Sequence, residues 1–159
     1  MSYTTRAPRP GEREGVDYCF IDEATFKSMI ARGEFFEWST VYGELKGRTF
    51  AAVDEAVRSG RTPVIKIDVQ GAEKVRERLG DDALYIFITP PSLEELQQRL
   101  VERATDSPAS MRLRQATAQV ELEAKDAYDH QVKNDDPVRA AREIREIVHH
   151  EFAADDAHA

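Results

Sequence analysis

Two stretches of this chain are almost unbroken β-formers, Val64-Ile65-Lys66-Ile67-Asp68-Val69 and Leu84-Tyr85-Ile86-Phe87-Ile88. A strand with one wet face alternates apolar and polar residues. Runs like these suit strands covered on both faces, inside a parallel sheet. Around them the period turns helical. Phe26, Met29 and Ile30 fall at helical spacing before Gly33, and Phe50 to Arg58 forms a helix closed by Gly60. Gln70 to Leu79 carries Ala72, Val75 and Leu79 on one side. Ser92 and Glu95 make a capping box ahead of Leu93, Leu96 and Leu100. A long polar helix is expected from about Ala109 to Tyr128, then a short strand near Gln131–Lys133. The last helix carries Ile144, Ile147, Val148 and Phe152, with Asp136-Pro137 as its N-cap and first residue. Phe35 to Tyr42 reads as a further strand. Strands alternating with helices predict an α/β layer fold, one domain over residues 1–152 with a frayed tail at 153–159. No internal repeat or second domain is visible.

Net charge excludes some partners. With 30 acidic against 22 basic residues the chain carries -8. A nucleic-acid polymer or an anionic membrane wants a basic surface, so neither is expected as main partner. A basic pocket for one small anion is compatible with that balance. Cys19 is the one cysteine, so no intramolecular disulfide forms; between Tyr18 and Phe20 it reads as a small core residue. No apolar run approaches the roughly 20 residues that cross a bilayer, and no signal-peptide pattern opens the chain. The cytoplasm is the expected compartment.

Basic residues gather where such a pocket would need them. Arg6 and Arg9 sit among Pro8 and Pro10 in a stiffened loop. Each guanidinium is a planar fork that fits phosphate oxygens in two-point contact. The plain alternative is a solvated basic loop. Asp68 closes an apolar strand, where ligands of open α/β sheets gather; the competing role is a helix N-cap. Arg99 and Arg103 share a helix face, with Glu95–Arg99 pairing as the alternative for the first. His149 and His150 are adjacent rather than four apart, so no metal site is expected.

The segments Thr4-Thr5-Arg6-Ala7-Pro8-Arg9-Pro10-Gly11-Glu12, Gly15-Val16-Asp17-Tyr18, Gly33-Glu34-Phe35-Phe36-Glu37-Trp38, Ile67-Asp68-Val69-Gln70-Gly71, Pro90-Pro91-Ser92 and Asn134-Asp135-Asp136 occur together. In order and spacing they resemble the guanylate kinase family, nearly end to end. The resemblance implies a P-loop-kinase-like parallel sheet with helices on both faces. It implies a small β-rich GMP-binding subdomain over about 2–60, a core remainder at 61–98 and 128–152, and a helical lid near 99–127. It implies transfer of the γ-phosphoryl of ATP, with Mg2+, to GMP, giving GDP. By resemblance Ser2, Arg6, Arg9 and Tyr18 hold the GMP phosphate. Glu37 reads guanine, its two oxygens matching the adjacent N1 and N2 donors; an outward-facing strand acid is the alternative. Asp68 contacts the guanine side, Arg103 and Arg114 neutralise the transferring group as lid arginines, and Asn134 and Asp135 lie near the adenine of ATP.

Departures from the family pattern limit what is expected. The 159 residues contain no Gly-x-x-x-x-Gly-Lys-Ser/Thr loop to cradle ATP phosphates. The fold expected is therefore one without the first strand, that loop and the first helix, with slight or no kinase turnover. Uncovered sheet edges would favour self-association or a covering partner. Leu45-Lys46-Gly47-Arg48 stands where the family has tyrosine, glycine and a hydroxyl residue; Lys46 still reaches a phosphate, and Arg48 is too large and donor-only for the hydroxyl's place. Lys66 replaces an acid, and Ala104 replaces the lid glycine. Two other readings stay open. One is a non-catalytic guanylate-kinase-like binding module; the other is a truncated or decayed copy.

Overall fold

A computed structural model describes residues 1–102, 117–118 and 120–155. Its contacts divide the chain into two units, Met1–Gly80 and Asp81–Ala159.

The first unit is built on a four-stranded sheet of β1 (Ser2–Thr4), β2 (Cys19–Phe20), β3 (Phe35–Val41) and β4 (Glu44–Thr49), in the order β2-β1-β4-β3. β1 runs parallel to β2; its other neighbour, β4, is antiparallel to both β1 and β3. Tyr42 and Gly43 join β3 to β4 with φ of 54° and 84°. A two-residue hairpin whose twist matches its strands needs positive φ at both positions. Helix α1 (Glu23–Ala31) is capped by Asp22, whose Oδ1 accepts from the Thr25 N–H at 2.7 Å. It lays Phe26 and Met29 on Phe35, with the Phe26 and Phe35 rings stacked at 4.3 Å. Tyr3, Ile21, Ile30, Trp38 and Leu45 pack around that nucleus. Helix α2 (Phe50–Arg58) follows β4 directly, with Thr49 as its cap.

The apolar run at Val64–Val69 does not become the buried strand its composition predicts. Residues 61–68 form no ladder, and Val64 is 84% exposed. An apolar, β-branched sequence favours an extended backbone, but a strand exists only where a neighbour exchanges hydrogen bonds with it. Val69 itself opens helix α3 (Val69–Leu79).

In the second unit β5 (Ile86–Thr89) pairs in parallel with β6 (His130–Lys133). Val132 is fully buried. Helix α4 (Leu93–Glu102) starts as predicted: the Glu95 N–H donates to Ser92 Oγ at 3.1 Å. The capping box closes on one side only, because the Glu95 carboxylate turns to Arg99 at 2.6 Å. Of the expected long polar helix, residues 117–118 and 120–123 are helical, Ala124–Ala127 tightens into a 3-10 turn, and Tyr128 lies beyond it. Helix α5 (Pro137–Asp155) is capped by Asp136, which accepts from the Arg139 N–H at 2.7 Å. It runs three residues past the expected end of the domain at 152, to Asp155.

Candidate functional site

A bulge in β3 decides where Glu37 goes. Phe35 pairs with Thr49 and Glu37 with Arg48, so two residues of β3 pass while β4 advances by one. Phe35, Phe36 and Glu37 are consequently all buried, where strict alternation would put one outside. Glu37 is 5% exposed, which rules out the outward-facing strand acid. Burial pushes its carboxyl up to about 7; Arg48 opposes that rise, Asp68 adds to it, and Lys74 opposes it.

Helix α3 brings its first turn to the same carboxylate. A Cβ on Gly71 would lie 3.2 Å from Glu37 Oε2, 3.2 Å from Asp68 Oδ1 and 3.1 Å from Ile67 Cβ. Glycine is what allows this approach. Asp68 caps the helix, accepting from the Gly71 N–H at 2.8 Å. The cap role is thus realised, in a place where the Asp68 charge also bears on Glu37. Lys74, one turn on, donates to the Trp38 carbonyl at 2.5 Å and lies 3.7 Å over the Trp38 ring. Trp38 packs on the core nucleus.

The arginine loop is organised by a residue outside the predicted set. Glu12 accepts from Arg6 Nη2 at 2.7 Å through one oxygen and from the Arg9 N–H at 2.6 Å through the other. Arg6 also donates to the Ala7 carbonyl at 2.6 Å and lies 5.6 Å from the Tyr18 ring centre and 5.8 Å from that of Phe20. The Arg6 contact pulls the Glu12 carboxyl below its ordinary range, and the Arg9 N–H pulls it further. Thr4 pairs with Lys46 in the sheet, which places the lysine near Arg6 and Arg9. Burial lowers the Lys46 pKa; Glu44 works against the shift, and the two arginines add to it. Ser2 Oγ accepts from Arg48 Nη2 at 2.9 Å, which ties it to the β4 residue paired with Glu37.

In the second unit, Asn134 and Asp135 follow β6. The Asn134 N–H donates to the Thr89 carbonyl at 2.7 Å, and its own carbonyl accepts from Arg99 at 3.1 Å. Its side-chain Oδ1 is buried with no hydrogen-bond partner. Asp135 is committed to Arg139 Nε at 2.8 Å and the Asp136 N–H at 2.7 Å, so it serves the start of α5. Arg99 pairs with Glu95, the alternative weighed for it. Arg103 and Arg114 lie outside the described residues. Among the described residues no group of three His, Cys, Asp or Glu could hold a metal ion, and no helix is long and apolar enough to cross a membrane.

The sequence model of guanylate kinases matches residues 1–151. The chain belongs to the guanylate kinase family. It is 48% identical over 149 residues to the guanylate kinase of Myxococcus xanthus, covering 93% of this chain and 71% of that protein. It is 44% identical over 156 residues to the guanylate kinase of Rubrobacter xylanophilus, covering 98% and 81%. A crystal structure of guanylate kinase from Anaplasma phagocytophilum superposes with a TM-score of 0.80 at 35% identity, over 94% of this chain and 73% of that one. The α/β fold expected from the alternating elements is therefore that of the guanylate kinases. Sequence reasoning missed Glu12 and Lys74. An acid three residues past Arg9 in a Pro-Gly loop was the available signal for Glu12; nothing local marked Lys74.

Proposed function

We propose that this chain binds GMP in its first unit and contributes that site to the guanylate kinase reaction, phosphorylation of GMP by ATP. The observation that carries the reading is Glu37. A buried carboxylate with no hydrogen bond from any described residue wants donors. Guanine offers two adjacent ones, N1–H and N2–H, and adenine's edge has no such pair. Arg6, Arg9, Tyr18 and Lys46 supply the positive, polar end for the 5′-phosphate. Asp68 holds the start of α3 against Glu37.

ATP and Mg2+ are the expected co-substrate and cation. Mg2+ would screen the phosphate charge during transfer. The partnerless Oδ1 of Asn134 fits an amino donor such as that of adenine; Asp135 is already occupied. Arg103 and Arg114 are proposed for the charge on the transferring group. These 159 residues hold no glycine–lysine phosphate loop, so turnover by this chain alone is expected to be slight, in a cytoplasmic setting.

Titration calorimetry with GMP and AMP tests the reading. GMP-selective binding is expected, abolished by Glu37→Ala. Indifference to GMP would leave the chain as a binding module for another ligand, and robust GMP-dependent ADP production in a coupled assay would overturn the expectation of slight turnover.

A further inference from the structure

Arg48 stands at the directly paired position across from Glu37. Directly paired positions of antiparallel strands put both side chains on one sheet face. Opposite charges so placed would ordinarily close into an ion pair. Here no described nitrogen–oxygen contact within 4 Å joins them, although the Arg48 charge is felt at Glu37. One end of the guanidinium is engaged: Nη2 donates to Ser2 Oγ. The other is not, for Nη1 is buried with no hydrogen-bond partner. Leaving a charged N–H unpaired and dry is costly, and most such groups in folded proteins have an explanation.

The two side chains together have a definite recognition pattern. Arg48 Nη1 is a donor that lacks an acceptor. Beside it, Glu37 presents two acceptor oxygens that lack donors. Donor, acceptor, acceptor is the complement of one purine edge: a carbonyl, then a ring N–H, then an exocyclic amino group. Guanine carries that series as O6, N1–H and N2–H. We infer that Arg48, anchored through Ser2, is a specificity-determining residue that donates from Nη1 to guanine O6 while Glu37 accepts from N1 and N2. The inference rests on the GMP reading above. It also changes the meaning of the sequence departure at this position: a donor-only side chain fits when its partner is a base carbonyl. Without ligand, Nη1 is shut off from solvent, so the guanidinium turns about its Ser2 contact as the base edge enters between the two side chains.

Three ligands and two variants test this by calorimetry. GMP is the reference, 6-thio-GMP replaces the O6 acceptor by weakly accepting sulfur, and IMP lacks the 2-amino group. The protein is expected to prefer GMP over 6-thio-GMP by roughly tenfold or more, the range for a hydrogen bond to a charged group. Arg48→Met should bring that ratio close to one while keeping the preference for GMP over IMP, which belongs to Glu37. Arg48→Lys keeps the charge beside Glu37 and so protects the fold; it should also lose the preference, since its single nitrogen lacks the two spaced donor ends with which the guanidinium meets Ser2 and the base. Full retention of the GMP over 6-thio-GMP ratio in either folded variant overturns the assignment. Absence of any GMP binding by the unaltered protein would overturn the GMP reading and this inference with it, an outcome distinct from binding that ignores Arg48.

Discussion

Glu12 holds Arg6 and Arg9 in one grip, its two oxygens 2.7 Å from Arg6 Nη2 and 2.6 Å from the Arg9 backbone nitrogen. A carboxylate with both oxygens so engaged sets the loop's shape before any ligand arrives. Both arginines are thereby kept in one short Pro-containing turn.

Glu12→Ala should therefore weaken GMP binding, on the order of five- to tenfold, by returning ordering costs to the binding step. Guanosine, which has no phosphate to meet the loop, should bind as before. Calorimetry with the two ligands separates these effects. Equal losses for both would place the role of Glu12 in folding of the whole unit.

Glu37 makes a pH prediction of definite sign. Its carboxyl sits near 7 in the folded protein against an ordinary 4.5. A raised acid binds more protons folded than unfolded between those values, so stability should fall as pH rises from about 4.5 to 7. Ligand binding should run the opposite way, because only the ionised carboxylate accepts from both N1 and N2. GMP affinity is expected to rise with pH up to about 7, by at most about tenfold per unit, and then level off. Glu37→Gln should flatten both profiles, which denaturation and calorimetry at several pH values will show.

Gly47 lies on β4 directly across from Trp38 of β3. A Cβ there would lie 2.8 Å from the Glu37 carbonyl oxygen and 2.9 Å from both Phe35 Cδ1 and Trp38 Cβ. Backbone cannot step aside as a flexible side chain does. Gly47→Ala should destabilise the protein by about 1–3 kcal/mol, the usual cost of overpacking, and disturb the β3 bulge that carries Glu37. Chemical denaturation reads the first effect and GMP affinity the second.

Asp136→Ala removes the cap of α5, the 2.7 Å bond that Asp136 Oδ1 accepts from the Arg139 N–H. A loss of about 1 kcal/mol is expected in thermal denaturation. GMP binding, assigned to the first unit, should not change.

The helices are legible in the sequence because their signals are local. Asp22, Thr49, Ser92 and Asp136 each cap the helix that follows, and α2 has the bounds its spacing predicts. Val64–Val69 reads as a strand because composition reports a preference for extended backbone, whereas ladder partners come from elsewhere in the chain. Glu37 is marked by its motif, but its burial does not follow from alternation, since a bulge breaks alternation by one residue.

Which segments coil, turn and cap follows from the order of residues along the chain, as do the arginine loop and the acid after Phe36. Those properties depend on neighbours a few positions away. Three others depend on the folded chain. Ser2 meets Arg48, Gly71 admits a helix start to within reach of Glu37, and Arg48 keeps an unspent donor beside that acid. These are relationships between residues up to 46 positions apart, and only strand register and close backbone approach bring such residues together.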